Sequence, residues 1–196
     1  MEPIILASSS PRRQEILKML KIPFRVIIPN IDETLVQAVE LEHVPELLAL
    51  EKVTAVIHSL PPAQEIPYIL GADTIVIFNN EIMGKPQSQE QAFEYLKKLQ
   101  GKTHTVITAL VLYKGKNKST VSKINKTRVT FSPMTDEEIQ WYIDTGEWHG
   151  AAGGYRIQSL ASLFVEKIEG SYSGVVGLPI SELYDILKEQ DYSILE

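Results

Sequence analysis

The 196-residue chain contains no cysteine. Disulfide staples, thiol nucleophiles and cysteine-ligated zinc are therefore excluded. No apolar run approaches the roughly 20 residues that a membrane-spanning helix requires. The first residues show no charged leader followed by a long apolar stretch, so a secretory signal is not expected and a cytoplasmic location is the default. Positive charge is scarce, with 19 Lys and Arg against 25 Asp and Glu and a formal net charge of −6. That balance disfavours a general nucleic-acid binder, which is usually basic, and nothing suggests membrane attachment. A nucleotide remains admissible, because a local basic pocket can sit in an acidic protein. No P-loop glycine pattern occurs. No Gly-x-Gly-x-x-Gly follows the first apolar run, which argues against a dinucleotide-dependent oxidoreductase.

What the chain does have is an ordinary globular composition, 44% hydrophobic and 22% charged. Its length suits one domain over residues 1–196, with a core large enough to need no staples. Residues 4–7 read as a short buried strand, with Ser10 and Pro11 in the N-cap and first helical positions after it. Ile16, Leu17 and Leu20 mark one face of that helix. Residues 24–28 read as a second strand, and Pro45 opens a helix that runs to about His58. Residues 68–78 are apolar at both parities, as in a central strand covered on both sides. Asn79-Asn80 reads as a turn. Ser88 with Gln91, and Thr135 with Glu138, have capping-box spacing. Gly101 sits where a helix would end. Residues 106–113 and 127–131 read as strands around a Lys- and Asn-rich connection, residues 163–168 as a further strand, and residues 179–189 as a closing helix. Strands interleaved with helices predict an α/β fold, a mixed twisted sheet with flanking helices.

Arg12 and Arg13 fall in the first turn of a helix, where the macrodipole disfavours cations and favours anions. With Ser8, Ser9, Ser10 and free backbone N–H groups they form a candidate phosphate cradle. A solvated arginine pair after an ordinary Ser-Pro cap is the competing explanation. Asp73 is more informative. Ile69, Leu70, Ile75 and Val76 surround it at both parities. A carboxylate there must be paired, metal-bound or protonated, and such acids cluster at functional sites. Lys85, held between Gly84 and Pro86, could aim an ammonium at phosphate. Asp32-Glu33 and Glu51-Lys52 are weaker signals, each of the kind usually found as a solvated pair. His43, His58, His104 and His149 have no metal-ligand spacing and read as structural or exposed. Trp141 and Tyr142 read as core or interface. Two Gly-rich stretches, residues 150–159 and 170–179, suit turns or close approach to a ligand. In the first, Tyr155 offers an aromatic face and Gln158 an amide.

These marks together resemble the Maf family of nucleoside triphosphate pyrophosphatases over nearly the whole chain. They are Leu6-Ala7-Ser8-Ser9-Ser10-Pro11-Arg12-Arg13, Asp32-Glu33, Glu51-Lys52, Gly71-Ala72-Asp73-Thr74, Gly84-Lys85-Pro86 and Gly101-Lys102-Thr103-His104. Ala152-Gly153, Tyr155, Ile157-Gln158, Gly170-Ser171-Tyr172 and Val175-Val176-Gly177-Leu178-Pro179 complete the set. The resemblance implies two lobes around a cleft, similar to the inosine triphosphate pyrophosphatase fold. It implies hydrolysis of a nucleoside triphosphate to the monophosphate and pyrophosphate with a divalent metal. It also implies Asp73 as proton acceptor and Arg12, Thr74 and Gln158 as specificity positions. Ile157-Gln158 is similar to the branch acting on dTTP and UTP rather than the sister branch acting on 7-methyl-GTP. Arg156, Ser159, Ala161 and Ser162 stand where relatives usually have glycines that shape the loop around the base.

The chemistry of the residues agrees. Splitting the α–β anhydride needs charge neutralisation, an in-line water and a stabilised leaving group. Mg²⁺ or Mn²⁺ could be held by Asp73 and Glu33 with substrate phosphates. Arg13, Lys52 and Lys85 would balance the triphosphate. Asp73 could serve as base, as metal ligand, or as both. The expected substrates are dTTP and UTP, with modified pyrimidine nucleotides as further candidates, and a homodimer is a candidate assembly. The alternative is a nucleotide-sensing or partner-binding protein linked to cell-division arrest without significant turnover.

Overall fold

The computed structural model describes residues 1–31, 40–61 and 68–195. In chain order its elements are β1 (Ile4–Ala7), α1 (Pro11–Met19), β2 (Phe24–Val26), α2 (Val44–Ser59), β3 (Tyr68–Phe78), β4 (Glu81–Met83) and α3 (Gln89–Leu99). Then follow β5 (Thr103–Lys114), β6 (Ser119–Phe131), α4 (Asp136–Asp144), β7 (Val165–Glu169), α5 (Tyr172–Val176) and α6 (Ile180–Glu189). Short 3-10 turns occupy Leu41–His43, Ala152–Gly154 and Leu160–Phe164.

The seven strands form one mixed sheet in the order β2-β1-β3-β5-β6-β7, with β4 also paired to β3. β1 runs parallel to β2 and to β3, while β4 is antiparallel to β3 and β7 to β6. The expected α/β class is therefore observed, and β3 is a central strand as its two-sided apolar pattern predicts. Asn79 and Asn80 both take positive φ, 51° and 61°. This is the backbone a two-residue hairpin needs, and it creates β4, a strand too short to announce itself in the sequence. β5 and β6 extend beyond their apolar runs to residues 114 and 119. Only residues 115–118 of the Lys- and Asn-rich stretch connect them.

The capping expectations separate. Thr135 and Glu138 form the complete reciprocal box. Ser88 accepts from the Gln91 backbone N–H, but the Gln91 side chain accepts from Gln87 N at 2.7 Å instead of returning to Ser88. Ser10 occupies the N-cap position of α1 without a side-chain cap bond. Gly101 takes φ +65° after α3, as a terminating glycine should,.

The chain divides into two compact units. One comprises Met1–Asp73, Thr108–Asn125 and Gly177–Glu196. Ile5, Ala7, Ala49, Val53, Val56, Ile69 and Val111 form a core between its strands and α2. The other comprises Thr74–Ile107 and Lys126–Val176. Its core gathers Leu96 and Leu99 of α3, Ile139, Tyr142 and Ile143 of α4, and Phe131, Trp148, Tyr155 and Ile157.

Strand parity positions the site. Ile5 pairs with Ile69 and Ala7 with Gly71. Successive side chains on a strand point to opposite faces, so Gly71 and Asp73 share the face of Ile69. That face is covered by α2, because Ala49 and Val53 pack on Ile5, Ala7 and Ile69.

Candidate active site

The chain leaves β1 at Ser8, beside β3. In open α/β sheets ligands bind beyond the carboxyl ends of parallel strands, and Ser8 sits at such an end. Its side chain is buried. Its Oγ accepts from the backbone N–H of Ser10 at 3.2 Å and from Nη1 of Arg13 at 3.0 Å. Arg13 is itself 8% exposed, and its Nε donates to the carbonyl of Gly177 at 2.8 Å. Arg13 therefore ties the residue after β1 to the segment that precedes α6. Arg12, half-buried, shares the first turn of α1. Basic residues, hydroxyls and a helix N-terminus meet here, the chemistry that holds an anion.

Asp73 meets the expectation set by its apolar surroundings: it is buried and paired. Lys52 of α2 donates from Nζ to Oδ1 of Asp73 at 2.5 Å, and the two side chains are 8% and 9% exposed. Lysine and aspartate are almost never so buried unless paired. Lys52 is thus no solvated surface residue, the usual state of such a motif, and its carboxylate partner lies 21 positions on. α2 can deliver it because Gly71 has no side chain to hold the helix off the sheet.

In the other unit, Thr74 is half-buried on the face of β3 opposite to Asp73. Lys85 is exposed between β4 and α3, and its carbonyl accepts from Nε2 of Gln87 at 2.8 Å. The neighbouring Gly84 carbonyl accepts from the Gly153 N–H at 3.0 Å. Gly153 and Gly154 take φ +68° and +75°, and a Cβ on Gly153 would lie 2.9 Å from Val76 Cγ2. Glycine is required there, and it fastens the Lys85 loop to the segment that leads to Gln158. Gln158 is exposed in a turn closed by the Ser159 N–H to Arg156 carbonyl bond at 3.1 Å.

Tyr155 does not present a free aromatic face. Its ring is 5% exposed and packs edge-on against Phe131 and His104. Its hydroxyl lies 2.7 Å from His104 Nε2. Burial lowers the His104 pKa to about 4 and pushes the Tyr155 hydroxyl up, so both stay neutral at ordinary pH. Of the two expected states, structural or exposed, His104 is buried, 2% exposed within this ring cluster. Tyr142 is core, whereas Trp141 is 46% exposed and touches Phe164 edge-on. Arg156, Ser159, Ala161 and Ser162 all have negative φ, so none needs glycine for its backbone conformation.

Among the described residues no group of three or more His, Asp or Glu side chains is arranged to hold a metal ion. Glu33 lies outside the described residues. No helix among them is long and apolar enough to cross a membrane. Sequence reasoning missed Gly177 as the anchor of Arg13. It also missed the His104–Tyr155 bond and the role of Gly71 in bringing α2 close. The Gly177 motif is visible in the sequence, but its carbonyl finds Arg13 across 164 positions.

A family model described as Maf-like protein matches residues 3–190. The chain is 44% identical over 187 residues to a dTTP/UTP pyrophosphatase of Thermoanaerobacter sp. strain X514, covering 95% of this chain and 96% of that one. It is 47% identical over 184 residues to a dTTP/UTP pyrophosphatase of Thermosipho africanus, covering 94% and 91%. The dTTP/UTP pyrophosphatase of Pelotomaculum thermopropionicum is 40% identical over 195 residues, covering 100% of each chain. Among solved structures, the Ham1 protein of Staphylococcus aureus matches with a TM-score of 0.45 at 16% identity, covering 66% of this chain and 72% of that one.

Proposed function

The chain belongs to the Maf family, and from that premise we propose that it hydrolyses dTTP and UTP to their monophosphates and pyrophosphate. The observation that carries the proposal is the buried Lys52–Asp73 pair beside the Ser8–Arg13 cradle, at the carboxyl end of β1. The full-length similarity to enzymes named dTTP/UTP pyrophosphatase supports turnover rather than mere nucleotide sensing.

In this reading Asp73 accepts the proton of the attacking water, with its carboxylate oriented by the Lys52 ammonium. Ser8, Arg13 and the N-terminus of α1 hold phosphate oxygens. Lys85 adds positive charge where the pyrophosphate leaves. Arg12, Thr74 and Gln158 read the base and sugar.

A hard divalent cation is part of this reading. Mg²⁺ is commonly bound by one or two carboxylates plus substrate phosphates, and Asp73, with Glu33 as a second carboxylate, would be its protein ligands. When bound, such a cation supplies charge neutralisation on the phosphates. Under the same reading the protein works in the cytoplasm on free nucleotides, without nucleic acid or membrane, and a homodimer is the assembly to look for by light scattering.

The experiment is a panel of canonical and modified nucleoside triphosphates with Mg²⁺ or Mn²⁺, assayed for pyrophosphate and monophosphate. UTP and dTTP are expected to lead. Nucleotide binding with no pyrophosphate released from any triphosphate would favour the sensing alternative.

A further inference from the structure

We propose that the buried hydrogen bond between His104 and Tyr155 positions the turn that carries Gln158 and thereby sets how sharply the enzyme discriminates between bases. The proposal rests on Gln158 reading the base, and it concerns two residues that would touch no substrate.

The geometry is specific. Tyr155 and Ile157 both point into the core, and between and beyond them the chain turns through Arg156 to Ser159 with Gln158 at the exposed tip. The Arg156 N–H donates to the hydroxyl of Tyr142 at 3.1 Å, and Arg156 Nη2 to the carbonyl of His149 at 2.8 Å. The Leu160 N–H donates to Glu147 Oε2 at 3.1 Å. These bonds fix the turn from its outer and C-terminal sides. On the N-terminal side the Gly153 N–H donates to the Gly84 carbonyl at 3.0 Å, and nearer the turn the side-chain tie is the Tyr155 hydroxyl to His104 Nε2, at 2.7 Å. His104 belongs to β5, a long strand inside the sheet, so the tie reaches a rigid element,.

The pair is not explained by packing. His104, Phe131 and Tyr155 form a triangle of edge-on rings with centroids 4.8 to 5.4 Å apart. Phenylalanine at 155 and an apolar residue at 104 would fill that space. The histidine instead leaves Nδ1 buried with no hydrogen-bond partner among the described residues. A buried polar atom left unpaired costs stability. What the hydrogen bond offers in return is one distance and one orientation, whereas ring contacts tolerate sliding. Gln158, three residues after Tyr155, must meet a base edge with matched donors and acceptors, and small misplacements weaken that discrimination.

The test compares kcat/KM on UTP with that on CTP for wild type, Tyr155→Phe, His104→Leu and His104→Gln. The ratio is independent of how much enzyme is folded, so a purely structural role would leave it unchanged. Tyr155→Phe and His104→Leu are expected to lower the ratio about tenfold, while His104→Gln, whose amide can still bond the phenol, retains most of it. Amide hydrogen exchange at residues 157–159 is read in parallel and is expected to quicken in Tyr155→Phe. A Tyr155→Phe enzyme with the wild-type ratio overturns the proposal. Should Tyr155→Phe fail to accumulate, His104→Leu against His104→Gln decides, and equal ratios in those two overturn it. If wild type cleaves no triphosphate, the functional reading fails separately, and unchanged exchange at 157–159 in Tyr155→Phe then overturns the positioning role by itself.

Discussion

A methyl group on Gly71 would sit 2.5 Å from the backbone oxygen of Ala49 and 2.7 Å from Cγ2 of Val53. Helix α2 and strand β3 therefore meet at a spacing that only a hydrogen side chain permits. Lys52 lies on the helix between those two contacts, and Asp73 follows Gly71 by two residues on the same face of the strand. The close approach at Gly71 is what lets the ammonium reach the carboxylate.

Gly71→Ala must push α2 outward, since the atoms it meets include backbone. Stability is expected to fall by about 1–3 kcal/mol, as for other overpacked sites, and turnover to fall on every accepted nucleotide. Urea unfolding and pyrophosphate release check the two effects. A Gly71→Ala enzyme with wild-type kcat would break the link between helix spacing and catalysis.

Asp73→Asn keeps the shape of the side chain but cannot take a proton and is a poor metal ligand. Turnover should vanish. The variant also leaves Lys52 as a buried cation opposite a neutral amide, with an expected cost of about 3 kcal/mol. Circular dichroism and melting will show whether it stays folded. Near wild-type pyrophosphate release would remove Asp73 from the reaction.

Arg13 and Lys85 are assigned to phosphates and Lys52 to the Asp73 carboxylate, none of them to the base, so an alanine at any one should slow UTP, dTTP and CTP by a similar factor. Arg13→Ala should in addition destabilise the protein, because the guanidinium bonds both Ser8 and the Gly177 carbonyl. Steady-state kinetics on the three nucleotides is the check. A loss confined to one base would move that residue to the specificity set.

Gln158 can donate to a carbonyl of uracil or thymine while accepting from its ring N–H. Cytosine has neither that N–H nor the second carbonyl. UTP and dTTP are therefore expected ahead of CTP, and Gln158→Ala should erode that preference more than it lowers the overall rate. Equal wild-type rates on CTP and UTP, or a purine preference, would overturn the base assignment and leave the pyrophosphatase reading intact.

His104 gives a pH signature. Its folded pKa is lowered by burial from 6.5 to about 4. Between those values the unfolded chain binds a proton that the folded protein does not, so stability falls as pH drops through that window and is fully present above it. The loss approaches roughly 3 kcal/mol by the acid end. Denaturant midpoints from pH 7.5 to 4.5, compared between wild type and His104→Gln, should show a shallower acid loss in the variant. Parallel slopes would mean that His104 is not the group responsible.

Much of this molecule was legible one segment at a time. Asn79 and Asn80 announce a tight turn because asparagine tolerates the left-handed backbone. Thr135 and Glu138 announce a helix start because their side chains bond backbone groups three residues away. β3 and its anomalous carboxylate were visible for a similarly elementary reason: a charge inside an apolar strand is costly, and Asp73 had to be compensated. The order of the motifs was enough to place the chain in its family.

What compensates Asp73, however, is decided only when α2 lies on β3. By its local sequence Lys52 is indistinguishable from a solvated helix residue. Arg13 meets Gly177, and Tyr155 meets His104, across stretches over which spacing carries no geometric information. Caps, turns and strand parity depend on a few adjacent dihedral angles, so the sequence determines them directly. The partners of buried charges depend on which surfaces are pressed together, and that follows from burial of the whole apolar core.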